Sequence, residues 1–407
     1  MNDESLTKDN PCLILTPSRT LPDASKSSTL SAVYAALFVA PGFYLPFFPV
    51  FLASLGFSPE AIGIAIGIPM GVRLLANPVA GILSDRWGRP RRFLAVLGLG
   101  AAFAFALMAA FPGMGAVLLL VALATLFWGP AFPLTDAFGV RLARERGVDY
   151  GRARLWGSVS FIGANIALGA ALEVLPPASV VWLIAGSLVL FAASVQMLPR
   201  LDTPSAASAA APPRVSARVL LAVFAAALVQ SSHAALYTFG SVHWKASGIS
   251  SSFIGFLWGA GVAAEVVVFY FATVMLKRFS PIGLILLGGV SSIVRFMLTA
   301  LDPPQALLVP LMMMHAFTFT ATFLGMVAIA GESGGEGAQG RAQAFSSTAV
   351  AIAMLVATFA AGPLYAQYGA YAFFGSSLIA AFGCVLAVLA WVQPQSAGVG
   401  GKTVEPS

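Results

Sequence analysis

Four charged side chains lie inside long apolar stretches of this 407-residue chain: Arg73, Asp136, Glu265 and Arg295. A charged group at the centre of a bilayer costs about 2.5–3.5 kcal/mol on insertion scales. Each of these groups must therefore be paired or face water. A carboxylate that exchanges between an arginine and a proton could couple proton movement to another event. The alternatives are static contacts, between Glu265 and Arg295 and between Arg73 and its neighbour Asn77.

Polar side chains follow helical spacing in two of the same stretches. The first stripe contains Gln230, His233, Tyr237, Ser241 and Trp244, and the second contains His315, Thr318 and Thr322. Such stripes either line an aqueous path or satisfy contacts between helices. His233 and His315 are therefore candidates for a site, with a buried packing histidine as the alternative for each.

The elements that must position these residues are membrane helices. Hydrophobic residues make up 58% of the chain and charged residues 9%, against about 25% charged in soluble proteins. A helix needs about 20 apolar residues to cross a bilayer, and the sequence contains twelve such runs. They lie near residues 30–55, 60–83, 93–112, 115–141, 155–175, 178–198, 217–244, 252–276, 281–301, 305–330, 341–368 and 370–393.

Basic residues fall almost entirely on one side if these runs are drawn as membrane crossings. That side carries Lys8, Arg19, Lys26, Arg86, Arg89, Arg91, Arg92, Arg141, Arg144, Arg146, Arg152, Arg154, Arg200, Arg214, Arg218, Lys277, Arg278, Arg341 and Lys402. Only Lys245 falls on the other side. Because basic loops stay in the cytoplasm, the asymmetry predicts a multi-pass protein of the inner (plasma) membrane with both termini cytoplasmic.

The runs divide into two groups of six. Residues 199–216 are rich in Pro, Ala and Ser, which predicts a cytoplasmic linker between bundles at 30–198 and 217–393. A disordered cytoplasmic tail is expected at 1–29 and a cytoplasmic tail at 394–407. An offset of 192 residues, from Gly63 to Gly255, also aligns Gly67 with Gly259 and Arg73 with Glu265. Paired six-helix halves are common in secondary transporters, which bind substrate between the halves.

The connection between the second and third runs carries a specific motif. It reads Gly-Ile-Leu-Ser-Asp-Arg-Trp-Gly-Arg-Pro-Arg-Arg from Gly81 to Arg92. This segment resembles the G-x-L-x-D-R-x-G-R-[RK] signature of the major facilitator superfamily. The resemblance implies an all-α membrane protein with twelve transmembrane helices in two pseudo-symmetric six-helix bundles. It assigns a gating role to Gly81, Asp85, Arg86, Gly88 and Arg89.

A narrower resemblance is to the lactose permease and phenylpropionate permease branch of that superfamily. It rests first on Asp136 followed by the segment 150–157, which contains Gly-Arg-Ala-Arg. The resemblance implies that Asp136, Arg154 and Phe161 bind substrate. His233 and Tyr237 are further candidates for substrate contact. Asp and Phe stand where the sugar symporter has Glu and Trp.

The second part of this resemblance is the order of Glu265, Arg295 and His315 on three successive runs. In the family such a triad links substrate binding to protonation, so the resemblance implies proton coupling at these residues. One position departs from the pattern, because Thr318 occupies the place of the family's proton-carrying glutamate. We expect Glu265 to carry the proton, with Asp136 or His315 as alternatives.

Together these features predict a proton-coupled importer of a small organic solute, such as an aromatic acid or a sugar, working by alternating access. A drug or metabolite exporter and a transport-dead ligand sensor are the alternatives. The sequence has no phosphate-binding loop of the G-x-x-x-x-G-K-[ST] type and no clustered metal ligands. We therefore expect no enzyme activity, no cofactor, no metal and no nucleic acid partner. The expected partners are the solute, protons and lipid, with the chain acting as a monomer.

Overall fold

The computed structural model describes residues 24–200, 216–331 and 336–393, and its regular structure is entirely helical. The tails and the linker expected from the sequence lie wholly or mostly outside these ranges. One bundle comprises α1 (Ala24–Ser54), α2 (Pro59–Trp87), α3 (Pro90–Ala110), α4 (Met114–Arg146), α5 (Tyr150–Ala171) and α6 (Ser179–Ser194). The other comprises α7 (Ala217–Ser231), α8 (Ala234–Ala246), α9 (Ser251–Tyr270), α10 (Ala272–Arg278), α11 (Pro281–Ala300), α12 (Gln305–Met313), α13 (Thr322–Gly331), α14 (Glu336–Tyr368) and α15 (Ala372–Val392).

The number of membrane crossings agrees with the prediction. Within the described ranges, ten helical stretches are long and apolar enough to cross a membrane. One of them, Arg341–Val392, has 52 residues and contains both α14 and α15, which are separated by a turn at Gly369–Tyr371. The 22-residue helix α5 supplies a further crossing, although Arg152 and Arg154 make its start polar. Twelve crossings result.

Three of the predicted runs are interrupted rather than continuous. The run at 217–244 breaks at Ser232–His233, between α7 and α8, and the run at 252–276 breaks at Phe271. The run at 305–330 changes to a π-helix at Ala316–Ala321. A π-helical turn inserts an extra residue into the helix and is frequent at functional sites. Two of the three interruptions begin at or beside a histidine, His233 and His315.

Each bundle has its own apolar packing. In the first, α1 packs on α5 and α6, α3 packs on α4 and α6, and α2 packs on α4. In the second, α15 packs on α7 and α11, and α14 packs on α7. Large apolar side chains such as Leu75 (76% exposed) and Phe103 (64% exposed) point away from the bundles. Such exposure over whole helix faces is suited to lipid rather than to water.

The two bundles meet mainly through α2 with α14 and α5 with α9. The connections after α2, α4 and α10 carry arginines and lysines and lie at one end of the molecule, which we call the basic end. The opposite end, which contains the start of α2 and of α9, is called the far end.

Glycines bring the bundles into backbone contact at the far end. A Cβ on Gly169 of α5 would lie 2.5 Å from the carbonyl oxygen of Ser251, and a Cβ on Gly255 of α9 would overlap the carbonyl oxygen of Asn165. On the other side, a Cβ on Gly63 of α2 would lie 3.1 Å from the Cα of Gly362 in α14. The far end is therefore closed by helices that only glycine allows to approach so closely.

Candidate functional site

A central cavity of about 600 Å³ lies between the bundles. Its wall extends from the middle of the molecule to the start of α5, so it opens towards the basic end. Aromatic rings supply much of the wall, and Arg154, Glu265 and His315 supply its charged and titratable groups. The aromatic lining residues are Phe38, Tyr150, Phe161, Tyr237, Trp258, Phe269, Phe319 and Phe323. Such a surface suits a small solute with an apolar body and a polar head.

One wall of the central cavity is built around Arg154, near the start of α5. Its Nε lies 3.5 Å from Oδ1 of Asp136 on α4, and its guanidinium lies 4.2 Å from the centre of the Phe38 ring. A Cβ at Gly157 would lie 2.9 Å from Phe38 and 3.2 Å from Nη1 of Arg154, so glycine gives the guanidinium room against the ring. Arg154 thus reaches the cavity while Asp136 lies behind it.

Two tyrosines hold the carboxylate behind that wall. The hydroxyl of Tyr34 donates to Oδ1 of Asp136 over 2.7 Å, and the hydroxyl of Tyr150 lies 3.2 Å from the same oxygen. The Asp136 carboxylate is therefore contacted by three polar groups, the hydroxyls of Tyr34 and Tyr150 and the guanidinium of Arg154. Since Asp136 is not on the cavity wall, its geometry is that of a residue that orients Arg154. Its predicted direct contact with substrate stays a prediction.

The opposite wall contains a chain of buried polar groups centred on His315. Oε1 of Glu265 lies 3.0 Å from Nε2 of His315. Nη1 of Arg295 lies 3.1 Å from the other ring nitrogen, Nδ1. An arginine can only donate, so Nδ1 accepts and the ring proton lies on Nε2, where it is donated to Glu265. The neutral histidine therefore bridges the guanidinium and the carboxylate.

This bridge differs from the direct pair considered from the sequence. Glu265 and Arg295 form no ion pair with each other in the structure; His315 stands between them. Arg295 is almost fully buried and also donates to the hydroxyl of Thr318 over 3.2 Å. Thr318 occupies the position of the glutamate in the sugar symporter, and its hydroxyl accepts a hydrogen bond from the buried arginine.

The two histidine candidates occupy different places. His315 lines the central cavity, and the hydroxyl of Tyr237 lies 3.2 Å from its Nε2. His233 is fully buried: its Nδ1 lies 3.0 Å from the carbonyl of Gln230 and its Nε2 lies 2.9 Å from the Thr318 hydroxyl. His233 therefore supports Thr318 and is not on the cavity wall. Its predicted contact with substrate has no counterpart in this conformation.

Local structure explains how the second wall is assembled. A Cβ at Gly261 of α9 would lie 3.2 Å from the carbonyl of Met312, so this glycine lets α9 approach the end of α12. Glu265, one turn further along α9, is thereby brought to His315. The π-helix that begins at Ala316 changes the side-chain direction after the histidine and buries Thr318. The sequence shows the residues but not this change in helix type.

The gating motif lies at the basic end, away from the cavity. Gly88 ends α2 with a φ of 63°, a left-handed conformation that favours glycine. Arg89 precedes the first turn of α3, and Asp85 and Arg86 are exposed on the last turn of α2. A Cβ at Gly81 would meet no heavy atom of the described residues within 4 Å, so this glycine is not at a close helix contact in this conformation. The gating role stays a prediction.

Arg73 and Asn77 lie on α2, inside the first bundle. The Nε of Arg73 and the Oδ1 of Asn77 are shielded from solvent and have no hydrogen-bond partner among the described residues. The static contact between these two side chains that the sequence left open is therefore not formed as a hydrogen bond.

Comparison with known proteins relates the chain to one group of transporters. Residues 28–376 match the family described as the MFS_1 like family. A probable 3-phenylpropionic acid transporter of Escherichia coli (strain K12) is 28% identical over 361 residues, which cover 86% of this chain and 94% of that protein. A maltose permease of Geobacillus stearothermophilus is 27% identical over 293 residues, covering 69% of this chain and 73% of that protein.

Solved structures agree on the fold. The crystal structure of the nucleoside transporter NupG superposes with a TM-score of 0.75 at 16% identity, covering 90% of this chain and 98% of that one. A D-xylose-proton symporter superposes with a TM-score of 0.68 at 13% identity, covering 90% and 97%. At these identities the likeness concerns the fold and not the solute.

Proposed function

This chain belongs to the MFS_1 like family of secondary membrane transporters and is not an enzyme. We propose that it imports a small organic solute together with protons. The observation that carries the proposal is the central cavity with two unlike walls. One wall presents the guanidinium of Arg154 beside Phe38. The other presents a carboxylate, Glu265, hydrogen-bonded to a neutral histidine.

The solute class follows from the lining. Aromatic rings from both bundles surround the space, while the guanidinium of Arg154 offers hydrogen-bond donors. An aromatic acid matches both features, and the relative described as a probable 3-phenylpropionic acid transporter supports that choice. A sugar is the second candidate, because the Arg154–Asp136 pair can bind hydroxyl groups and a maltose permease is also a relative.

Glu265 is the proposed proton carrier. Its carboxylate, 14% exposed, touches the cavity and accepts the Nε2 proton of His315. Protonation of Glu265 removes the negative charge that partly neutralises the positive charge of Arg295 on the other side of the histidine ring. The second wall then becomes more positive as a whole, which favours an anionic solute in the cavity. Binding of the proton and binding of the solute are thereby linked, and linkage is reciprocal.

Alternating access would proceed between the closed far end and the open basic end. The basic loops lie at the end to which the cavity opens, so we place that end, and with it both termini, in the cytoplasm. On this basis the described conformation faces inward. We propose a protein of the inner (plasma) membrane that acts as a monomer.

The test is a proton-flux assay in proteoliposomes that contain the purified full-length chain and a pH-sensitive dye inside. Adding 3-phenylpropionate outside, with no imposed gradient, should acidify the lumen. Maltose serves as the parallel solute, and empty liposomes correct for passive entry of the acid. No protein-dependent proton flux with either solute would refute proton-coupled uptake, and proton movement out of the lumen would indicate an exporter.

A further inference from the structure

A second polar cluster lies in the first bundle, and neither wall of the central cavity uses it. Four side-chain atoms there are shielded from solvent and lack any hydrogen-bond partner among the described residues: Tyr44 Oη, Arg73 Nε, Asn77 Oδ1 and Trp128 Nε1. The Arg73 guanidinium lies 6.0 Å from the centre of the Trp128 ring. The rings of Tyr44 and Trp128 are 5.4 Å apart. We call these four residues the donor cluster.

The donor cluster contains more donors than acceptors. An arginine Nε and an indole Nε1 can only donate and a phenol donates readily, while the one obligate acceptor, Asn77 Oδ1, is hydrogen-bonded to none of them. No acidic side chain in the described part of the chain forms an ion pair with Arg73. The other intramembrane arginine, Arg295, by contrast donates to His315, Thr318 and Met312. A shielded Nε of an arginine that donates to no acceptor is costly, and an anion would supply the acceptor.

The surrounding backbone makes room for the arginine. A Cβ at Gly129 of α4 would lie 2.8 Å from Cγ of Arg73 and 3.4 Å from Oδ1 of Asn77. Trp128, the preceding residue, is only 3% exposed although its N–H is unpaired. Glycine at position 129 therefore allows α4 to pack over both polar side chains of α2, which holds Arg73 away from lipid.

The position of Arg73 in the repeat places it towards the centre of the molecule. Gly63 of α2 contacts α14 and Gly255 of α9 contacts α5, so the two aligned glycines occupy corresponding contacts between the bundles. Arg73 and Glu265 follow these glycines at the same spacing. Glu265 lines the central cavity, and the repeat gives Arg73 the corresponding position in the first bundle, where it packs against α4 rather than on the cavity wall.

Neighbours of Arg73 support this placement. The lipid-exposed side chains of α2 include Leu75 and Val79, which point to the opposite side of the helix. Met70, one turn before Arg73, packs in the same apolar cluster as Tyr237, which lines the cavity. The segment of α2 that precedes Arg73 therefore packs with a residue of the cavity wall.

We propose that the donor cluster binds the carboxylate of the transported solute, so that the substrate class is a carboxylic acid with an aromatic or apolar body and not a neutral sugar. This inference rests on the proposed uptake of a small organic solute. The four atoms are closed to solvent in the described conformation. The acid therefore loads in a conformation in which Arg73 of α2 moves away from Trp128 and Gly129 of α4, before the acid meets the cavity walls.

The experiment measures binding to the purified full-length protein by isothermal titration calorimetry, with 3-phenylpropionate and its neutral amide, 3-phenylpropionamide. Wild type should prefer the acid. Arg73→Gln should weaken acid binding by at least about tenfold, the usual scale for a lost hydrogen bond to a charged group, and leave amide binding unchanged. Retained amide binding shows that the variant is folded. Arg144→Gln, an exposed arginine on α4, is the matched control and should behave as wild type.

A second variant guards against loss of folding in Arg73→Gln. Trp128→Phe keeps the aromatic ring and removes only the unpaired N–H, and it should weaken acid binding by a few-fold without affecting the amide. An acid preference that survives both substitutions would overturn the assignment while leaving the proposed function in place. Thermal stabilisation by chloride alone that disappears in Arg73→Gln, with unchanged acid binding, would also overturn it. Failure of wild type to bind either compound would refute the proposed function itself.

Discussion

At the scale of single residues, the proposed coupling depends on one hydrogen bond, 3.0 Å from Nε2 of His315 to Oε1 of Glu265. The substitution Glu265→Gln keeps the shape of the side chain and mimics the protonated acid. We expect this variant to exchange labelled solute for unlabelled solute across a membrane at a rate within a few-fold of wild type. It should not concentrate solute when a pH gradient is imposed.

Counterflow and uphill uptake in the same proteoliposomes separate these two activities. Arg295 remains buried beside His315 in the variant and keeps its hydrogen bonds to His315 and Thr318, so the wall should stay folded. Accumulation driven by the pH gradient in Glu265→Gln would remove the residue from proton coupling and would leave Asp136 or His315 as the carrier.

Arg154 allows a comparison between charge and geometry. Its guanidinium contacts both the Phe38 ring and Asp136, and a lysine would keep the charge while losing the planar fork. We expect Arg154→Lys to weaken solute binding by about tenfold or more with normal expression. Arg152→Lys, two residues earlier and exposed, is the matched control. Equal affinity in both variants, measured by titration calorimetry, would place Arg154 outside the binding site.

At the scale of helices, closure of the far end depends on glycines. A methyl group at Gly255 would overlap the carbonyl oxygen of Asn165, while Gly186 of α6 has open space at its Cβ position. We therefore expect Gly255→Ala to force α9 away from α5 and to favour a conformation open at the far end. Gly186→Ala should have no such effect.

An impermeant maleimide applied from the far-end side can measure this change. The reporter is a cysteine at position 161, in place of the cavity residue Phe161, in a background that lacks the native cysteines. Labelling should be faster with Gly255→Ala than with Gly186→Ala by several-fold. Equal labelling rates in the two variants would show that the far-end contact between α5 and α9 does not control access.

The helices also show what the sequence could and could not predict. Runs of apolar residues predicted all twelve crossings, because burial in lipid requires them. The repeat predicted that Gly63 and Gly255 occupy equivalent positions, and the structure places both at contacts between the bundles. The π-helix after His315 left no signature in the sequence, since it depends on how the chain packs against α9 and α11.

The same distinction applies to the candidate site. The order of Glu265, Arg295 and His315 indicated that these residues act together, but not that the histidine bridges the other two. Nor did the sequence show that the Tyr34 hydroxyl binds Asp136 from a helix 102 residues earlier. Hydrogen bonds over such separations depend on tertiary packing and have no periodic signal. Tyr150 belonged to the motif segment, so its proximity could have been inferred.

At the scale of the whole molecule, the proposed orientation in the membrane rests on the basic end. Loops with Arg86–Arg92, Arg144–Arg152 and Lys277–Arg278 all lie there, and such loops resist translocation. We expect alkaline phosphatase, which is active only outside the cytoplasm, to be inactive when fused after Ser407. A fusion in the connection after α8, at the far end, should be active. The opposite pattern would invert the topology and with it the direction of the described conformation.

The bundles are also joined at the far end by a polar contact that depends on pH. Glu173, in the connection between α5 and α6, accepts a hydrogen bond over 2.7 Å from the backbone N–H of Ser252 at the start of α9. That hydrogen bond is the main cause that lowers the pKa of Glu173, and Lys245 lowers it further. Since the contact favours the ionised carboxylate, it stabilises closure above the ordinary pKa of 4.5 and is lost as the pH falls through the lowered value.

Acidification should therefore loosen the far end, in the window below pH 4.5. Glu173 is exposed, so solvent screens the contact and the effect on access should be modest. We expect labelling of the cysteine at position 161 from the far-end side to rise on going from pH 6 to pH 4, measured with a thiol reagent whose rate is corrected against a free peptide. Glu173→Gln lacks the titrating group and should show the faster labelling already at pH 6, with little further change. A pH response that persists in Glu173→Gln would assign it to another group, and Glu265 on the cavity wall is then the residue to test.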